Sequence, residues 1–250
     1  MRLVRAEALK LVRRRGLMVW SFLLTVGAVL IAEIVLVTLH AVNPAKHGPA
    51  GGASNLEHFA FLLAGLGNVA AIIIGATAGT QDVSNGVFRD LVVTGRKRAA
   101  LFNARVLGAL LVFLPLLALG FAVAVGGSFL FAGNLPHPTA ADIAKYIEYA
   151  VAICGVDIVL AVGLAAFASS RVVVGVLIAW NAIVSHLLIA IGSLGGSRKL
   201  IDVAAAEHFA PRHAVGSTIA MSTAAALLVL AGWTVVFLQA GRFWTNRMDA

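Results

Sequence analysis

Charge is scarce in this 250-residue chain: only 12% of it is Asp, Glu, Lys or Arg, about half the share of an average soluble domain. Acids are scarcer still, 11 against 19 bases. With 60% hydrophobic residues and uncharged runs of membrane-spanning length, a soluble globular domain is excluded. The single cysteine, Cys154, sits inside an apolar run, so no intrachain disulfide can form and no redox compartment can be inferred. No Gly-x-x-x-x-Gly-Lys-Ser/Thr occurs, which excludes nucleotide hydrolysis by that loop. Glu57-His58 and Glu207-His208 lack the second His four positions on that a zinc hydrolase helix requires. Ser185 and His186 are neighbours and point in different directions on a helix, and no Gly-x-Ser-x-Gly is present. Six of the seven histidines (His40, His47, His58, His137, His208 and His213) fall on or near one predicted face without metal-ligand spacing. No catalytic constellation, resident metal or cofactor is therefore expected in this chain.

The apolar runs predict an all-α membrane protein forming a single transmembrane domain over 1–250. Spans are expected at 17–39, 58–79, 101–131, 146–169, 172–194 and 217–240, each long enough to cross about 30 Å of hydrocarbon. Residues 1–16 precede them. They carry Arg2, Arg5, Lys10, Arg13, Arg14 and Arg15 against Glu7 alone, with Val4, Ala8, Leu11 and Val12 on one helical face. That pattern predicts an interfacial helix whose bases reach lipid headgroups. The run after it is too long for a signal-peptide core. Thr139 followed by Asp142 predicts a capped helix start. The stretch 195–216 reads as an extracellular or re-entrant element.

Orientation follows from counting bases. Six Lys and Arg in the first helix, five around the central polar segment (Arg89, Arg96, Lys97, Arg98, Arg105), Arg171, and Arg242 with Arg247 in the tail make fourteen. Lys46, Lys145, Arg198, Lys199 and Arg212 make the other five of 19. Both termini are expected in the cytoplasm. The net charge of +8 then reflects topology and membrane lipids, not nucleic acid.

The central segment 80–100 is the one dense polar stretch between two long apolar runs. Within it Val87, Phe88 and Leu91 share a helical face flanked by Arg89 and Asp90, and are expected to be an exposed docking surface. Glu33, Asp157 and His186 fall inside spans, where charge costs about 2.5–3.5 kcal/mol or more. They either line a translocation pathway or bond between helices. Gly67, Ala71, Gly75 and Gly79 recur every four residues and offer a stripe for close helix packing.

Six spans, a basic first helix and GTQDVSNGVFRDLVVTGRKRAALFNARV together resemble the membrane subunits of ATP-binding-cassette exporters of the ABC-2 type, over essentially the whole length. Asp82, Gly86, Arg89, Leu91 and Arg98 stand where that family has an acid, a Gly, an Arg-Leu pair and a second Arg. Glu7, Lys10 and Arg13 resemble its connecting helix, and Asn246-Arg247-Met248-Asp249 its tail. Thr94-Gly95 departs from the usual Thr-Pro. The resemblance implies that Gln81–Thr94 is a coupling helix seated on a separate ATPase subunit, with Phe88 and Leu91 as buried contacts and Arg89 as an ionic one. It also implies two ATPase copies holding ATP and Mg, a second permease, identical or homologous, and a bacterial inner-membrane location. Other classes remain open: a stand-alone ion-coupled transporter or channel using Glu33, Asp157 and His186, or a non-transporting scaffold. An inverted repeat of three spans, which the ion-coupled class favours, is not visible.

Overall fold

The computed structural model describes residues 2–210 and 219–247. Every regular element among them is helical. Six helices are long and apolar enough to cross a membrane: Arg15–Val42, Ala53–Ser84, Arg98–Leu130, Ala140–Leu164, Ser170–Ala190 and Thr223–Arg247. The shortest, the 21-residue fifth, still reaches about 30 Å at 1.5 Å per residue. The chain is an all-helical, multi-pass membrane protein. Residues 211–216 of the expected 195–216 element, the first two residues of the expected sixth span and Met248-Asp249 of the tail lie outside the described residues.

Several boundaries differ from those expected. The second helix continues to Ser84 and stops at Gly86, whose φ of +70° is the left-handed conformation that glycine adopts most easily. The expected single helix over Gln81–Thr94 is therefore two pieces, the end of the second span and a separate helix Val87–Val93. The fourth helix begins at Ala140, where Thr139 Oγ1 accepts from Asp142 N at 3.2 Å and Asp142 Oδ2 accepts from Thr139 N at 3.0 Å, as the cap predicts. It ends at Leu164, short of the expected 169. There, Ala166 N and Phe167 N turn back to Gly163 O and Leu164 O. These bonds satisfy the backbone inside a run that stays apolar, so hydropathy does not mark the turn. The sixth helix runs on to Arg247 because its last turns pack on the third span.

The second span is the central pillar. Two thirds (67%) of its most apolar window is buried, against 17% for the fifth and the sixth. Gly75 and Gly79 make this possible. A Cβ on Gly75 would meet Ile158 O at 2.9 Å, and one on Gly79 would run into the Ala165 side chain. The second and fourth spans thus pack backbone to backbone. Gly67 faces Thr25 and Leu117 of the first and third spans, and Ala71 is buried in the core. Single π turns interrupt the first span at Leu23–Gly27 and the fifth at Trp180–Val184.

Both ends of the described chain lie at one end of the bundle, called here the terminus end. Arg98 Nη1 donates to Asn246 O at 2.7 Å, and Arg242 Nε to Asn103 Oδ1 at 2.8 Å. The helix Arg2–Val12 crosses the same end, with Glu7 close enough to Gly108 that a Cβ there would not fit. Between the fifth and sixth spans the chain folds back inward through the 3-10 turn Gly192–Leu200 and the short helix Asp202–Glu207. All of Ile201–Glu207 is buried. Trp233 Nε1 donates to Leu200 O at 2.8 Å and Trp180 Nε1 to Asp202 Oδ1 at 2.9 Å. Both tryptophans lie well along their spans, so this segment is inserted among the helices and does not lie on the surface.

Candidate functional site

Two groups of residues depart from simple apolar packing. The first is at the terminus end. Asp82, on the last turns of the second span, is 3% exposed. Its Oδ1 accepts from Lys10 Nζ at 2.8 Å and its Oδ2 from Arg105 Nη2 at 3.2 Å. Lys10 also reaches Glu7 Oε1 at 2.7 Å, and Arg105 reaches Gly79 O at 3.4 Å. The first helix, the second span and the third span are therefore tied through one carboxylate. Burial pushes the Glu7 carboxyl up against the opposing pull of Lys10. For Lys10, burial acts downward, but the bonds to Asp82 and Glu7 outweigh it and hold the ammonium above its ordinary value. Arg105 was counted above among the topological charges. It is instead fully buried, a structural cation.

This network also fixes the short helix Val87–Val93. Phe88 is buried, with the Arg105 guanidinium carbon 5.2 Å from its ring centre, a cation–π distance. The expectation that Phe88 belongs to an exposed docking cluster is thus corrected. Burying its ring removes apolar area from water and covers the otherwise bare face of Arg105. Leu91 is half-buried, while Gly86, Arg89 and Asp90 are exposed. The outward apolar residues are Val83, Val87 and Val93, Val93 being 77% exposed. Arg98 is partly buried and bonded to the last turn of the sixth span.

The second group lies inside the bundle. A cleft of about 360 Å³ opens between the second, fourth and fifth spans and the short buried helix, with Asn68, Tyr149, Asn181, His186 and Glu207 among its walls. At one side His186 Nε2 lies 3.3 Å from Glu207 Oε1. Deeper, Asp157 is 2% exposed; Asn68 and Asn181 lie against its carboxyl and Asp202 faces it. None of Asn68 Oδ1, Asp157 Oδ1 and Asn181 Oδ1 has a hydrogen-bond partner. By contrast, a larger groove of about 610 Å³ between the third and fourth spans has only apolar walls, as expected of a lipid-facing surface.

No protein-family model matches this sequence, and no curated protein matches it either. Function must therefore be argued from the geometry.

The structure brings Asp157 and His186 to one cleft but leaves Glu33 elsewhere. Glu33 is buried against Gly127 of the third span, where a Cβ would collide with its carboxyl, and neither oxygen has a hydrogen-bond partner. Four residues of the cleft escaped the sequence reading: Asn68, Asn181, Asp202 and Glu207. The two amides carried a usable signal, since neutral polar side chains inside long apolar runs need partners. The two acids carried none, because the sequence alone could not show that their segment is inserted. Among the described residues no group of His, Cys, Asp or Glu is placed to hold a metal ion.

Proposed function

We propose that this chain is the membrane-spanning permease subunit of an exporter of the ABC-2 type, driven by a separate nucleotide-hydrolysing subunit. One observation carries the reading. The helix Val87–Val93 is anchored from within, by Phe88 under Arg105, and presents Val87, Arg89, Asp90 and Val93 outward. An apolar and charged face on a rigidly held helix between two spans suits a surface that another protein pushes. Asp82 and Arg105 connect that helix's root to the second and third spans and, through Lys10, to the first helix. A push is then passed on through buried ionic contacts, which resist separation because breaking one leaves a charge uncompensated.

The base-rich terminus end is the cytoplasmic side in this reading, and the membrane is the bacterial inner membrane. The cleft at Asn68, Asp157 and His186 is the part of the translocation pathway that this chain contributes. ATP and Mg are held by the partner, in two copies, and a second permease completes the assembly. A second reading, a stand-alone ion-coupled transporter, is favoured by one feature alone, the unpartnered polar oxygens around Asp157.

Co-purification separates the two. The affinity-tagged chain is expressed with the nucleotide-hydrolysing subunit encoded in the adjacent reading frame. Under the permease reading the two purify together and the double variant Val87→Asp, Val93→Asp loses the partner while still inserting. Retention of the partner by that variant, or transport by the purified chain alone, contradicts the reading.

A further inference from the structure

We infer that the fold holds a small monovalent cation, of sodium's size, between Asp157 and Asp202. The argument starts from charge. Asp157 and Asp202 are 2% and 3% exposed, and they face each other closely enough to interact electrostatically. No basic side chain among the described residues bonds to either. Trp180 Nε1 satisfies one oxygen of Asp202, and a neutral indole offsets little negative charge. Two carboxylates held together without a counter-charge favour capture of a cation.

The space between them is specific. Asp157, Asn181 and Asp202 border a void of about 10 Å³ otherwise walled by Ile153, Val156, Val203, Ala206 and Leu230. That admits one water-sized particle, too little for a hydrated ion or an organic cargo. The unpartnered Asp157 Oδ1 and Asn181 Oδ1 belong to this lining, and the unpartnered Asn68 Oδ1 lies on the cleft side of the same carboxyl. All donors are oxygens, the choice of a hard cation. They are too few for calcium, which takes six to eight, and the void leaves no room for the waters magnesium keeps. The local architecture fits as well. Asn181 stands in the π turn of the fifth span and Asp202 opens a short inserted helix, the broken-helix setting in which membrane proteins coordinate monovalent ions near mid-bilayer. The 360 Å³ cleft shares Asn181, Val203 and Ile153 with the void and gives the ion its access. The site does not depend on which energy source drives transport.

Its test uses the full chain in detergent, with melting temperature and sodium-23 NMR linewidth as independent readouts. At constant ionic strength, replacing N-methyl-D-glucamine chloride by NaCl is expected to raise Tm along a saturating curve, by roughly 3–6 °C at ten times Kd. The sodium line broadens in parallel. Potassium, too large for the void, gives a smaller shift. Asp157→Asn and Asn181→Ala lose the response, and if either fails to fold, Asp202→Asn provides the same reading. His186→Ala and Arg212→Gln keep it; loss of the response in Arg212→Gln overturns a site built from Asp157 and Asp202. So does a Tm indifferent to sodium, an equal shift with potassium, a shift seen only with calcium or magnesium, or an unchanged response in the aspartate variants.

Discussion

Phe88 lies beneath Arg105, its ring centre 5.2 Å from the guanidinium carbon, so the residue with the strongest apolar signal in the central polar segment is turned into the protein. Arg105 in turn holds Asp82, and the short helix Val87–Val93 becomes part of the bundle's ionic framework. Replacing Phe88 by Asp would therefore loosen the helix itself before it altered any partner surface. Val87 and Val93 are the positions that report on docking.

Arg105→Gln is expected to destabilise the chain by about 3–5 kcal/mol, the cost of leaving a buried carboxylate without its partner. Arg96→Gln, on the exposed side of the same segment, should change stability by less than about 0.5 kcal/mol. Denaturant titration of the detergent-solubilised variants measures both. Equal effects would mean that Arg105 serves topology only.

Gly79→Ala forces a methyl group into the side chain of Ala165 and to within 3.1 Å of Val162 O. Overpacking of this kind costs about 1–3 kcal/mol. Gly65→Ala meets open space and should be neutral or stabilising by up to about 1 kcal/mol through helix propensity. Melting temperatures ranking the two in the opposite order would contradict the close packing of the second and fourth spans.

Glu33→Gln removes a buried carboxyl whose oxygens have no hydrogen-bond partner, so no bond is lost and the desolvation cost falls. The Tm of this variant should equal or exceed that of the parent. A clear drop would show that the carboxyl is paired in the membrane.

Lys10 sets a pH dependence. Its pKa in the folded chain is raised above the ordinary 10.5, burial being outweighed by the bonds to Asp82 and Glu7. A raised cation stabilises the fold fully below the unfolded value, and that contribution is lost as pH climbs through the folded value. The Tm gap between the parent and Lys10→Met should hold steady from about pH 7 to 10 and close above it. A gap that already closes near pH 8 would contradict the ion pair with Asp82.

Much of this was legible in the sequence, and the misses share a cause. Helix period and hydropathy located six spans, and Thr139 with Asp142 marked the start of the fourth, because those signals are local. Phe88 and Arg105 were misassigned because an apolar and a basic residue can cover each other across 17 positions, a tertiary fact that no window shows. The inserted helix Asp202–Glu207 was left as one of two alternatives. Its polar residues find buried partners only on other elements, Trp180 and His186. Glu33, Asp157 and His186 stood out equally by charge, yet only two meet, since facing depends on how the spans rotate against one another.

The central claim is that the helix Val87–Val93 faces the cytoplasm and is covered by a driving subunit. A membrane-impermeant thiol reagent applied to Val93→Cys, in a Cys154→Ala background, tests it directly. The account predicts no labelling in intact cells, labelling in inverted vesicles containing the chain alone, and protection when the nucleotide-hydrolysing partner is present. Labelling in intact cells, or equal labelling with and without that partner, would contradict it.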